Sequence, residues 1–474
     1  MTANRRIAVI GAGASGLSAA RALRQEGHFV AVFERSTGIG GTWIYSTAVE
    51  SDHLSADPNR KIVHSSLYDS LRTNLPRESM GFYDYPFVAV AGEEDCRRFP
   101  GHREVLRYLE DFARESGLYG LIRFGIEVVR VEMEGEGRWA VLSRRVAGGG
   151  GGGAADESEV FDGVVVCVGH YTEPRVAEIP GIDSWPGKQM HSHNYRVPEP
   201  FQGQVVVIIG SASSATDISK DIAGLAKEVH IASRSAPGGT PMKDPAHENI
   251  FIHSMIVKAF ADGTVLFQDG SSAFVDVIMH CTGYKYHFPF LKTNGIVNVD
   301  DNRVGPLYKH VFPPLLAPYL SFIGLTTKMI PFPMFQLQSK WIAGVLSGRI
   351  KLPTQEEMME DISKICIRKC NLLDCPKDTH TILTIIILNT VIGWQENVGI
   401  LKWKSGGSSC FMQIGKTGLQ SQTGSEMTGM MMIWSKKLMN ISGTFSFRIK
   451  DCKFNLVILL MVRCVTFENF YILV

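Results

Sequence analysis

An apolar strand that breaks at a turn of small residues and passes at once into a helix occurs twice in this chain, and no other feature restricts its fold as much. The first copy runs Ile7-Ala8-Val9-Ile10, Gly11-Ala12-Gly13-Ala14-Ser15-Gly16, the helical stretch LSAARALRQEG, and a second strand ending at Glu34-Arg35. The second runs QVVVII, Gly210-Ser211-Ala212-Ser213-Ser214-Ala215, a helix through Asp217, and a strand ending at Ser233-Arg234. Strand, tight turn and amphipathic helix open a parallel βαβ unit whose turn faces a pyrophosphate. One glycine pattern is weak evidence. Two of them, about 200 residues apart, predict an α/β chain with two Rossmann-like dinucleotide-binding domains.

Each small residue has a task. Gly11 permits the turn, Gly13 lets backbone approach a phosphate, and Gly16 lets the helix pack on the strand. Glu34 closes the next strand 18 residues after Gly16, where its carboxylate accepts hydrogen bonds from ribose hydroxyls. The following Gly41-Thr42-Trp43 sets bare backbone and an aromatic wall where a flat ring could lie, although a glycine turn with a core tryptophan reads equally well. In the second copy Ala212 and Ala215 replace two glycines, which such turns accept. After its second strand stand Ser233 and Arg234 with no carboxylate. An acid there would repel a 2′-phosphate whereas arginine pairs with one, so NADPH is expected over NADH.

The 48 basic and 47 acidic residues nearly cancel, which leaves no electrostatic footprint for nucleic acid and makes small molecules the expected partners. Nine irregularly spaced cysteines read as reduced thiols. His191 and His193 lack a third ligand at metal spacing, and Cys366, Cys370 and Cys375 near His380 fit no common zinc pattern, so no metal is expected. The start has no apolar signal region, and the apolar runs 381–394 and 454–467 fall short of the roughly 20 residues that span a membrane. A cytoplasmic location without a transmembrane helix is the expectation.

The expected organisation is a first domain over 1–198, a second inserted over 199–304, a return to the first over 305–374, and an atypical tail over 375–474. Trp139–Ala147 and Glu159–Gly169 read as strands on either side of the low-complexity run Gly148–Gly153. Ala273–Thr282 reads as the strand that closes the second unit, and the proline- and aromatic-rich Tyr286–Thr326 as the return. The tail has no alanine, carries Met430-Met431-Met432 and shows no steady periodicity. It reads as translation out of frame and is expected to be disordered.

The stretch Trp185-Pro-Gly187-Lys-Gln-Met-His191-Ser-His-Asn-Tyr195-Arg196-Val-Pro-Glu-Pro200 resembles the identifying pattern F-x-G-x-x-x-H-x-x-x-Y/F-K/R-x-x-x-P/D of flavin-containing monooxygenases, with Trp185 where phenylalanine is usual. The segments Leu71–Phe87, Val164–Pro174, Asp276–Phe290 and Ile330–Trp341 extend the resemblance over residues 1 to about 365, most closely to the plant branch similar to glucosinolate S-oxygenases. Tyr195 stands where the related Baeyer-Villiger enzymes carry tryptophan, which favours heteroatom oxygenation. The resemblance implies FAD at the first unit, against Gly11, Ala12, Gly13, Ala14, Ser15, Gly16, Glu34, Arg35, Gly41, Thr42, Trp43 and Asn74. It implies NADPH at Gly210, Ser211, Ala212, Ser213, Ser214, Ala215 and Arg234.

The implied reaction is reduction of FAD by NADPH, addition of O₂ to give a C4a-hydroperoxyflavin, and attack on its distal oxygen by a soft sulfur or nitrogen of a small molecule, thioethers by analogy with the plant branch. The cofactor carries that chemistry, which accounts for the lack of an acid-base dyad. Asn74 is the implied catalytic residue, its amide beside the flavin's reactive edge; from sequence alone it reads as a turn asparagine. Gln338 is implied near the ring, or is a plain helix-face glutamine. Two alternatives stand beside this reading. A disulfide reductase would need a cysteine pair directly after the first glycine unit, and none is there. A non-catalytic or unstable flavoprotein would result if the altered C-terminus disrupts the flavin domain. Oligomeric state is left open.

Overall fold

The computed structural model describes residues 4–89, 95–135, 137–146, 156–236, 241–326 and 329–370, with side chains to 364, and one short antiparallel pair, Lys402–Trp403 with Met412–Gln413. The chain divides into two compact bodies, residues 1–385 with 473–474, and 386–472; the fold below, with both dinucleotide-type units, is that of the first body. Apart from the short pair, the expected tail lies outside the described residues, as do the glycine run 148–153 and the apolar runs 381–394 and 454–467.

Two parallel sheets carry the fold. In the first, five strands lie in the order Leu320–Phe322, Gly163–Val166, Arg6–Ile10, Phe29–Glu34, Ile122–Phe124, all parallel. In the second, Met242–Lys243 adds an antiparallel edge to the parallel set Ile250–His253, Glu228–Ala232, Val205–Ile209, Val277–His280 and Lys188–His191. Inner strands such as Gly163–Val166 and Val205–Ile209 are nearly continuous Val and Ile because both faces are covered. Strand Val205–Ile209 shows this residue by residue: Val206 and Ile208 enter one core, Val205, Val207 and Ile209 another, as the two-residue alternation of a strand requires. Each sheet also carries an antiparallel meander, Ile126–Glu134, Arg138–Arg145, Glu157–Phe161 in the first unit and Ile256–Ala259, Thr264–Phe267, Ser272–Phe274 in the second.

Two expected strands are each broken in two by an aspartate. Glu159–Gly169 becomes Glu157–Phe161 and Gly163–Val166, and Ala273–Thr282 becomes Ser272–Phe274 and Val277–His280. At the breaks Asp162 accepts the N–H of Arg6 at 2.7 Å and Asp276 that of Val205 at 2.8 Å. Each carboxylate thereby satisfies the first donor of the central strand. The boundaries at 199 and 305 also shift. Strand Lys188–His191 already belongs to the second sheet, while Leu291–Lys292 pairs with Ile126–Glu134 and Tyr286, Phe288 and Phe290 pack on the first core. The return thus begins near Tyr286.

The chain leaves and re-enters the first unit at one place. Glu173–Pro174 pairs antiparallel with Tyr284–Lys285, and Arg175 donates its N–H to the Gly283 carbonyl at 2.9 Å. Among the described residues no helix is long and apolar enough to cross a membrane.

Candidate active site

Both turns present an uncapped helix N-terminus. Helix Ala14–Gln25 starts after Gly13 and helix Ser213–Ala223 after Ala212, neither with a capping side chain or an acid in its first turn. Helix starts without a capping side chain or an acid are of the kind that receive an anion. Gly11 and Gly210 both have left-handed φ, 102° and 118°. A Cβ on either would stand 2.6 Å from the carbonyl oxygen of Cys167 or Cys281, so the protein itself demands glycine. Gly16 is equally fixed, its Cβ falling 1.9 Å from the Gly11 oxygen.

Gly13 is different. Its backbone is extended, φ −75° and ψ −176°, and a Cβ would meet nothing nearer than Gly41 Cα at 3.5 Å. The fold itself would accept a methyl there. The Gly40 N–H donates to the Ala12 carbonyl at 3.1 Å, which draws the turn Gly41–Trp43 alongside. Trp43, after Thr42, stands edge-on to Phe332, centroids 6.3 Å apart at 86°.

Glu34 is buried. One of its oxygens accepts the Ala12 N–H at 2.7 Å, the other the N–H and hydroxyl of Ser36 at 2.7 and 2.6 Å. A carboxylate offers about four acceptor positions, which leaves room for a ribose hydroxyl. Arg35, next to it, contacts His64 and Glu127. In the second unit Ser233 replaces the carboxylate, donating to the Ser211 hydroxyl at 2.8 Å and accepting the Ser235 N–H at 3.1 Å. Arg234 is exposed and has no ion-pair partner among the described residues. Ser214 is exposed at the helix start, whereas Ala215 is fully buried.

Asn74 projects from a braced turn. Thr73 donates its N–H to Pro100 and its hydroxyl to Leu75, and buried Arg77 reaches the carbonyls of Val88, Asp95 and Arg97. Asn74 itself is exposed, with no hydrogen bond to another described residue. Gln338 departs from the plain helix-face reading: it is fully buried, its Oε1 accepts the Gly324 N–H at 3.1 Å, and its Nε2 has no partner among the described residues.

The segment 185–200 is scaffolding. The Arg196 guanidinium donates to the carbonyls of Ser46, Ala48, Ser65, His193 and Tyr195. Tyr195 and Tyr68 donate to Asp221 and Asp217 on helix Ser213–Ala223. His191 accepts the His193 N–H and donates to the Gly283 carbonyl at 3.1 Å; burial, with His193 beside it, holds its pKa at about 3, so it is neutral. Beneath them lies a pair that sequence reading missed, Arg60–Glu50 at 2.6 Å. Burial opposes ionisation of Glu50, but bonds from His193, Ser55, Val63 and Arg60 outweigh it and bring the carboxyl to about 2. The segment thus clamps loop 46–68 onto the second unit. Among the described residues no cluster of His, Cys, Asp or Glu could hold a metal.

The family model described as flavin-binding monooxygenase-like matches residues 4–240 and 246–401, past the expected end of the resemblance near 365. Flavin-containing monooxygenase FMO GS-OX-like 4 of Arabidopsis thaliana is 60% identical over 365 residues, 76% of this chain and 80% of that protein. The solved structure of S-allyl-L-cysteine S-oxygenase from Allium sativum is 60% identical with a TM-score of 0.78, covering 83% of this chain and 89% of that one. Tmm from Pelagibacter sp. strain HTCC7211 is similar at 27% identity and a TM-score of 0.67, over 82% and 85% of the two chains.

Proposed function

This chain belongs to the flavin-binding monooxygenase-like family, and from that premise we propose that it uses NADPH and O₂ to oxygenate a soft sulfur, or nitrogen, of a small molecule, thioether to sulfoxide first among such reactions. The observation that carries the cofactor assignment is the inequality of the two turns: a buried carboxylate, Glu34, at the first and Ser233-Arg234 at the second. The first suits the ribose of FAD and the second the 2′-phosphate of NADPH. Relatives named for S-oxygenation support sulfur as the target.

In this reading Gly11 to Gly16 hold the FAD pyrophosphate on helix Ala14–Gln25, with Arg35 beside the adenosine. Gly41, Thr42 and Trp43 flank the ring system. Gly210 to Ala215 would hold the NADPH pyrophosphate, and Arg234 would pair with its 2′-phosphate. The unengaged amide of Asn74 would donate a hydrogen bond to the flavin or its reacting oxygen. Bound flavin would supply the redox chemistry, accepting the hydride equivalent of NADPH and delivering one oxygen atom of O₂ to the substrate while the other leaves as water. The chain's own part is to orient the partners and keep water out.

The test is turnover of the full-length chain, loaded with FAD, with NADPH, a methyl thioether and ¹⁸O₂. One labelled oxygen in the sulfoxide per NADPH consumed is expected. NADPH oxidation that yields only hydrogen peroxide would instead favour the non-catalytic alternative.

A further inference from the structure

The two glycine turns press on the carbonyls of equivalent cysteines, and beyond each cysteine the chain reaches a tyrosine. Cys167-Val168-Gly169-His170-Tyr171 leaves the strand beside Arg6–Ile10, and Cys281-Thr282-Gly283-Tyr284 leaves the matching strand beside Val205–Ile209. Both glycines have left-handed φ, 70° and 79°. Doubly wound sheets bind ligands beyond the carboxyl ends of their strands, and here two such ends converge: the rings of Tyr171 and Tyr284 meet at 5.4 Å and 70°. His170 lies 4.2 Å from Tyr171 and 5.2 Å from Tyr286, and Tyr284 is backed by His191 at 5.2 Å.

Tyr171 differs from its neighbours in two respects. It is 47% exposed, although its ring lies against those of His170 and Tyr284. Its hydroxyl has no partner among the described residues, whereas Tyr286 donates to the Leu325 carbonyl at 2.7 Å and Tyr284 engages Ser66. An aromatic face attracts polarisable sulfur, and a free hydroxyl can address a polar group beside it.

We propose that Tyr171, backed by His170 and Tyr284, is a substrate-positioning residue on which the sulfur-bearing arm of a thioether packs between the two nucleotide turns. The assignment rests on the oxygenase reading above.

The full-length, FAD-loaded chain and its Tyr171→Phe and Tyr171→Ala variants are assayed with S-methylcysteine and S-benzylcysteine. Binding of S-methylcysteine is measured by calorimetry without NADPH. Loss of the hydroxyl in Tyr171→Phe should weaken S-methylcysteine about 2- to 10-fold, in KM more than in kcat. Tyr171→Ala, with FAD content retained, should move preference toward the benzyl compound roughly 10-fold and increase peroxide release. Unchanged affinity and preference in the phenylalanine variant, which keeps the ring and so the fold, would overturn the assignment. So would a change confined to the KM for NADPH. If the wild type oxidises no thioether, the oxygenase reading fails; the calorimetric comparison still decides whether Tyr171 contacts the ligand.

Discussion

In the first nucleotide unit Asp162 receives the N–H of Arg6, Gly11 lies against the Cys167 carbonyl, and Glu34, Arg35 and Ser36 close the second strand. In the second unit Asp276, Gly210, Cys281, Ser233, Arg234 and Ser235 hold the same places. Even the internal bonds match, for the Ser36 N–H donates to Glu34 and the Ser235 N–H to Ser233. The units diverge at Glu34 against Ser233, Gly13 against Ala212, and Gly16 against Ala215. Asp162, Gly11 and Cys167, on which the strand and turn backbone depends, recur; Gly13 differs where the fold itself has room for a methyl, and Gly16 differs because the first turn has none.

The comparison is broken most severely at Gly16. Gly16→Ala puts a methyl 1.9 Å from the Gly11 oxygen and should abolish flavin retention, read from the visible absorbance of the purified protein. Ala215→Gly should cost only about 0.5–1 kcal/mol of stability. A Gly16→Ala protein that keeps its flavin would refute the steric account.

Acid sharpens the contrast next. His191 and His280, both in the second sheet and fully buried, are held neutral by burial at pKa values of about 3 and about 4, below the ordinary 6.5. Because the folded values are depressed, the unfolded chain binds more protons between pH 6.5 and those values. Stability is therefore complete above pH 6.5 and declines below it, by ~2 kcal/mol for each histidine at pH 5. Hydrogen exchange of the second sheet between pH 7 and 5 should show this, and equal protection at both would contradict it.

Arg234→Ala should raise the KM for NADPH about 10- to 100-fold, the range of one or two charge-assisted bonds, and leave NADH little affected. Ser233→Glu should reverse the preference, as the repulsion of a 2′-phosphate requires. The smallest effect is expected at Gly13. Gly13→Ala should keep its thermal midpoint while its flavin dissociation constant rises roughly 10-fold, as expected where a ligand rather than the fold excludes the methyl. Ala212→Gly should change the KM for NADPH by less than about 3-fold.

Much of this was legible because it is local. Strand, turn and helix follow one another within thirty residues of each unit, and Glu34 and Arg234 lie at the ends of apolar runs. What was not legible depends on distant partners. Asp162 reads as one polar residue inside a strand until Arg6 is placed beside it. Lys188–His191, with the sequence KQMH, has no apolar pattern and becomes a strand only because Val277–His280 offers a free edge. Glu50 and Arg60 read as loop charges, yet their side chains are 0% and 3% exposed, an arrangement stable only when each buried charge finds all its partners. Arg196 was visible as part of a pattern, but its work, holding five carbonyls, was not. Tyr171 lay in a segment of the resemblance without a role of its own, because the ring of Tyr284 beside it is distant in sequence.

The single doorway between the units also bears on how the chain finds its fold. With Arg175 hydrogen-bonded to Gly283, the ends of an insert of about a hundred residues stand side by side. A folded insert therefore acts on the first unit as a tight turn would, lowering the loop-closure penalty of joining strand Gly163–Val166 to Leu320–Phe322 by ~1 kcal/mol. The order of events favours the inner unit first. The outer core then assembles across a connection that is long in sequence and short in space, so its folding rate should track the stability of the insert rather than the number of residues between its halves.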